Sequence, residues 1–426
     1  MKKRALHILF TTVIVIIGLP LLLGIVGGED VVKPLKGVTI AQSIHPFNIH
    51  NWRSMDFQLG VSKYLNQNFC FRPSLIRFYN QLEYSVFNQV TNRNIVKGKD
   101  SHLFERWFIN SYFGTDFLGT EKIDRNVQKL IVIDSVLKSK GVHFIVAMAP
   151  GKASVYPEKI PDYLLKDSSR NTNYKTYRTK LNKSGISIFD INGWFIKMKP
   201  DFERNLFTKG GTHWSRDGAM LVLDSLLRRI EHETGEEYNK IIFEGITKTQ
   251  TPKDPDIDIL KISNLLSENI DEDYYYPDFH YEKAHPKNGK LIVISDSFFW
   301  ILFDAGLDNS FQSVDYWYYF NKVFSNRFEH AKKIEDINIS KELQEAEVVL
   351  LMASPSPLNK LGWGFINEAY DLLLKGIDKE AAIRRVMQVI ESDPDWFASV
   401  KTKAVDRNIT IDSMLRLDAE YIYNRK

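Results

Sequence analysis

From about residue 121 onward, apolar positions recur in two alternating rhythms. Lys122 to Lys140 carries Val127, Leu130, Ile131, Ile133, Val136 and Leu137 at helical spacing, and Gly141 stops it. Val142 to Ala149 follows as a near-continuous apolar run, the pattern of a parallel strand buried on both faces. Ile186 to Ile191, Lys290 to Ile294 and Glu347 to Met352 repeat that pattern, with helical segments at Thr172 to Lys183 and Asp217 to Glu233. Strands alternating with helices predict an α/β sheet with a helical layer on each face. Ligands of such sheets bind at the carboxyl ends of the strands, so the residues there carry the functional question.

The flanks read differently. Phe57 to Val90 has one helical stripe through Leu59, Tyr64, Leu65, Phe69, Leu75, Phe78 and Leu82, and Gly98 to Phe104 reads as a turn entering a strand. Past residue 365, Phe365 to Leu374, Lys379 to Ser392 and Thr410 to Tyr423 are amphipathic, a helical appendage to the sheet. At the start, Ile8 to Val26 holds no charge, and 19 residues at 1.5 Å each make a helix of about 28 Å, enough for a bilayer core. Lys2, Lys3 and Arg4 before it should stay in the cytoplasm. A cleaved signal peptide is the rival, but Gly27 to Asp30 lacks a small-residue cleavage site, which favours an uncleaved anchor. The expected division is therefore an anchor at 1–28, a helical and irregular lead-in at 29–97, the α/β domain at 98–364 and the appendage at 365–426.

Charge narrows the partners. Lys2, Lys3 and Arg4 account for the whole formal charge of +3, leaving 53 of the 56 basic residues against 53 acidic ones. A neutral remainder argues against nucleic acid as a partner. Cys70 is the single cysteine, so no internal disulfide can form. The aromatic share of 13% suits sugar-binding clefts, and it suits a packed core equally well.

Three segments carry candidate chemistry. The strand from Lys290 runs into Ser295-Asp296-Ser297-Phe298, where Ser297 either projects a nucleophilic hydroxyl at the top of the sheet or caps the next helix. Gly210-Gly211-Thr212-His213-Trp214-Ser215 offers His213 as a base for a serine hydroxyl, or as a structural histidine, with Trp214 beside it as a substrate contact. The loop from Met148 to Pro161 leaves a strand end, which puts Lys152 either on a ligand rim or in plain solvent. His280 and His285 lack the Cys or acid pattern of a metal site, and neither metal nor cofactor is expected.

Together these segments resemble the SGNH-hydrolase-like family of alginate O-acetyltransferase proteins, of the AlgJ and AlgX types. Its G-x-D-G-x-L-F start is similar to Gly98 to Phe104. Its P-x-K…Y-P-E-x-[IL]-P loop matches Pro150, Lys152 and Tyr156 to Pro161. Its D-x-H-W block is met by Thr212-His213-Trp214, and its G-[DT]-S-[FY] block by Ser295 to Phe298. The resemblance implies a three-layer α/β/α SGNH-type domain with a parallel sheet, a Ser297 nucleophile and a His213 base, in permuted order with histidine first. It also implies acetylation of an exported polysaccharide outside the inner membrane, with a membrane-bound O-acyltransferase as a possible acetyl donor. The bulk of the chain would then stand in the periplasm on a single-pass anchor. One departure stands out: Gly211 occupies the place of the family's orienting Asp. Loss of such an acid can cost about ten-thousandfold in rate. Asp258, with Asp254 and Asp256 as alternatives, is the substitute, because the apolar run after it could anchor it near the sheet. Asp217 reads instead as a first-turn helix acid. A polysaccharide esterase and a non-catalytic polysaccharide-binding or assembly subunit are the competing readings.

Overall fold

In the computed structural model the apolar runs pair into a seven-stranded sheet. The structure describes residues 2–25, 33–37, 44–67, 71–166, 170–325, 330–375 and 379–424, so Phe69, Cys70 and Val26, the last residue of the apolar run, lie outside the description. The described chain forms two compact units. One comprises Met1–Glu105, Lys209–Gly211 and Ile257–Asp271; the other comprises Arg106–Thr208, Thr212–Asp256 and Glu272–Lys426.

The second unit holds the sheet. Its strands are β1 (His143–Met148), β2 (Ser187–Asp190), β3 (Asn288–Ser295), β4 (Phe311–Tyr318), β5 (Lys322–Phe324), β6 (Lys332–Lys333) and β7 (Val348–Ala353), in the spatial order β6-β5-β4-β3-β7-β1-β2. From β4 to β2 every pairing is parallel. The edge departs from the expected parallel sheet, because β5 and β6 add antiparallel pairings. The chain returns from β4 through a tight turn in which Tyr319 (φ 50°) and Phe320 (φ 47°) are left-handed, and a short turn can join only antiparallel neighbours. β4 escapes a reading by pattern because Gln312, Ser313 and Asp315 interrupt its apolar run.

Both faces of the strands are covered. Ile292, Ile294, Val349 and Leu351 join one core cluster with α1 (Thr120–Lys138), α2 (Asn173–Leu181) and the helical tail. The intervening Leu291, Val293 and Leu350 are equally buried on the opposite face. There Phe299 of a short helix, Phe299–Asp304, meets Tyr316 with ring centroids 5.0 Å apart. The period of two thus buries each strand twice. The tail shares the sheet's own cluster through Ile383, Val386, Val400 and Leu415, and a fourth tail helix, Pro394–Asp406, joins the three expected ones.

In the first unit the stripe of Phe57 to Val90 splits into helices Asp56–Gln67 and Arg72–Ser85, and Leu59, Leu65, Leu75 and Phe78 are all more than half exposed. Strands Ile95–Lys97 and Leu103–Glu105 pair across a turn with Asp100 at φ 52° and Ser101 at φ 64°. Ser101 thus takes a left-handed position that suits the glycine of the family pattern better. Lys2–Ile25 is one helix. Among the described residues, however, no helix is long and apolar enough to cross a membrane. The expected spanning anchor is not shown, and most side chains from Ile16 to Val26 lie outside the description.

Candidate active site

β3 carries Ser295 to the carboxyl edge of the sheet, and Asp296 turns the chain there. The Oδ1 of Asp296 accepts from the Phe298 N–H at 3.1 Å. Its Oδ2 accepts from the N–H and hydroxyl of Ser354, just past β7, at 2.8 and 2.7 Å. The Tyr316 hydroxyl donates to the Asp296 carbonyl at 2.5 Å. Burial pushes this carboxyl above its ordinary pKa, while the Ser354 and Phe298 donors and nearby His213 oppose the shift. Phe298 occupies the capping position of the helix that follows, without a side-chain bond. The hydroxyl of Ser297 is therefore not a helix cap. It is half-buried and lies 2.9 Å from Nε2 of His213.

The histidine loop is pinned from several sides. Phe207 and Trp214 form an isolated antiparallel bridge, and the Ser215 N–H donates to the Leu206 carbonyl at 2.8 Å. Ser215 caps Arg216–Thr234 by accepting from Gly218 N–H, while Asp217 in the first turn pairs with Arg204. The His213 ring stands 5.0 Å from that of Phe298, which therefore packs against both blocks.

Two expected substrate contacts do not take that role by position. Trp214 is 1% exposed, edge-on to Phe298 at 5.5 Å, so its ring is spent on packing and offers no face to a sugar. Lys152 is 2% exposed rather than on an open rim. Its loop is a buttress. Gly151 approaches Pro355 so closely that a Cβ would come within 2.9 Å of the ring. The Tyr156 hydroxyl accepts from the Leu206 N–H at 3.1 Å, tying this loop to the segment that enters the histidine loop.

The candidate acids are placed as follows. Asp256 is buried, and its carboxylate accepts from the Tyr276 hydroxyl at 2.5 Å and the Lys253 N–H at 3.2 Å. The Asp254 carbonyl accepts from Arg216 at 2.5 Å. Asp258 starts helix Asp258–Ile262, with its Oδ1 at 2.7 Å from the N–H of Ile259. His280 and His285 lie beside Glu244 and Glu237 at 3.0 and 3.2 Å. Among the described residues no group of three or more His, Cys, Asp or Glu is arranged to hold a metal.

Residues 95–271 match the SGNH hydrolase-like domain of the acetyltransferase AlgX. The chain is also 23% identical over 176 residues to the probable alginate O-acetylase AlgJ of Pseudomonas fluorescens. That alignment covers 41% of this chain and 43% of the relative, so the chain matches less than half of that protein's length. The resemblance to the AlgJ/AlgX-type SGNH-hydrolase-like family is thereby shown. Solved structures similar to it include the O-acetyltransferase domain of Pseudomonas putida AlgJ (16% identity, TM-score 0.44, 65% of this chain and 99% of that one). Bacillus cereus PatB1 with a sulfonyl adduct is another (14% identity, TM-score 0.42, 64% and 99%).

The AlgX-like segment contains Lys152 and His213 and ends before Ser297, so the pairing of His213 with Ser297 rests on the geometry. Two neighbours of the serine carry no sequence signal. Ser354 sits after the apolar strand β7 as one small residue among several. Tyr319 follows β4, and its N–H donates to the Ser295 carbonyl at 2.9 Å. Burial and the Asp296 charge push the Tyr319 hydroxyl up to about 12 against hydrogen bonding with Ser297, so it stays protonated beside the nucleophile.

Proposed function

We propose that this protein transfers acetyl groups to hydroxyls of an exported polysaccharide through an acetyl-Ser297 intermediate. The observation that carries the proposal is the 2.9 Å approach of His213 Nε2 to Ser297 Oγ at the carboxyl end of β3. His213 removes the Oγ proton as that oxygen attacks the donor's acetyl carbonyl, and the proton passes to the leaving group. In the second half, His213 takes the proton of a sugar hydroxyl whose oxygen attacks the acyl carbon, and Ser297 leaves and regains a proton. Backbone N–H groups at the turn, with the protonated Tyr319 hydroxyl, face the developing oxyanion. Asp258 completes the proposal as the acid that fixes the imidazole tautomer, and a membrane-bound O-acyltransferase is the acetyl donor. We place the bulk of the chain in the periplasm.

The test is turnover of a chromogenic acetyl ester and acetylation of the polysaccharide by the full chain and three variants. Ser297→Ala and His213→Ala should each lose about a thousandfold or more in kcat. Asp258→Asn should lose up to about ten-thousandfold in kcat with KM little changed. Gly211 favours one competitor, the non-catalytic polysaccharide-binding subunit. If Ser297→Ala leaves both activities unchanged, that reading replaces ours.

A further inference from the structure

The helix Arg72–Ser85 of the first unit is built inside out. Leu75, Phe78, Tyr79, Leu82 and the capping residue Val86 recur at helical spacing on one side, and all five are exposed. A helix on a globular protein ordinarily turns such a stripe to the core. Here the opposite side holds the grips. Asn80, the helix's one buried residue, donates to the carbonyls of Ser263 and Asn264 at 3.0 and 3.2 Å and accepts from the Thr91 hydroxyl at 2.8 Å. Arg77 donates to the Pro34 carbonyl at 2.9 Å, and the Gln81 side chain accepts from the Ser267 N–H at 3.1 Å. These polar bonds fix which way the helix faces, and they turn its apolar stripe away from the protein.

The surroundings say what the stripe meets. Phe47, Ile49, Trp52 and Met55 of the same unit are exposed as well, with the Phe47 and Trp52 rings edge-on at 5.6 Å. Residues 44–97 carry Arg53, Lys63, Arg72, Arg77, Arg93 and Lys97 against only Asp56 and Glu83. The chain beyond residue 28 is neutral as a whole, so this segment concentrates positive charge. The unit also contains Lys2–Ile25, the helix that carries the uncharged run from Ile8.

We infer that the first unit lies on the membrane surface, with the stripe from Leu75 to Val86 sunk into a bilayer that contains anionic lipids. A helix lying in that plane pushes its apolar face about 5–10 Å into the headgroup boundary, where aromatic and basic side chains gather. Anionic headgroups match the positive excess. A protein partner would have to supply an apolar groove with an acidic rim, whereas such a bilayer offers both over any area. A stripe of this size binds reversibly, because stable attachment takes two membrane signals. It orients the unit without anchoring it, so residues 29–426 still leave a diluted membrane fraction. The inference goes beyond the acetyl-transfer reading and does not depend on it.

The experiment uses the full chain in vesicles of phosphatidylcholine and phosphatidylglycerol at about three to one. Cys70→Ser removes the single native thiol, and Phe78→Cys takes an environment-sensitive dye. Lipids with a nitroxide high on the acyl chain should quench the dye by about half or more, and iodide in the water should quench it little. Leu75→Glu with Leu82→Glu in the same labelled chain should abolish the lipid quenching. If that variant does not melt cooperatively, vesicles of phosphatidylcholine alone take its place and should reduce the quenching at least twofold. Strong iodide quenching in the presence of vesicles overturns the inference. So does lipid quenching unaltered by the glutamates, or by the lipid change that replaces them. A dye shielded from iodide yet untouched by nitroxide lipid also overturns it, and shows that the stripe packs on protein instead.

Discussion

At the scale of single residues, the carboxylate of Asp296 organises the turn that presents Ser297, accepting from Phe298 on one oxygen and from Ser354 on the other. Burial raises its pKa against the pull of the Ser354 and Phe298 donors and of nearby His213, so the folded chain binds this proton more tightly than the unfolded chain. Stability from that proton is complete below the ordinary value of 3.8 and is lost as pH rises through the raised one. Asp296→Asn has no proton to lose there. Urea midpoints measured between about pH 4 and about pH 8 should fall for the parent chain relative to this variant. Parallel profiles would mean that the donors fully offset the burial. Ser297 and His213 were legible because each ends an apolar run or sits in a glycine-rich loop. The burial of Trp214 and Lys152 was not, since a loop's sequence does not say which side faces the core.

Among elements, the helical tail is the clearest test of what holds the sheet. Phe365, Leu373, Ile383, Val386, Val400 and Leu415 share one cluster with Leu130, Val136 and Leu351. Buried side chains of this size contribute roughly 1.5–3 kcal/mol each, so losing a handful approaches the whole stability of a domain, about 5–15 kcal/mol. A chain ending at residue 364 should therefore be insoluble or lack a cooperative melt. A monomeric truncation with an unchanged near-ultraviolet spectrum would show the tail to be dispensable. The amphipathic pattern identified three of the four tail helices. It missed Pro394–Asp406, whose buried Trp396, Val400 and Ala404 lie four apart among mixed neighbours.

For the whole molecule, the apolar run Ile8 to Val26 remains the strongest statement about location, although no spanning helix is shown among the described residues. We expect the full chain to sediment with membranes and to require detergent, and residues 29–426 to stay in the supernatant. Release of the full chain by salt or carbonate would replace the anchor with a cleaved leader. The sequence by itself determined the alternating α/β order, the catalytic candidates and their order along the chain, because periodicity and local turn chemistry are short-range properties. Only the tertiary structure decided that residues 84 positions apart meet as His213 and Ser297, and that Ser354 steadies Asp296. Each of those depends on which strands become neighbours. That choice is set by packing both faces of the sheet at once, and no single segment of sequence encodes it.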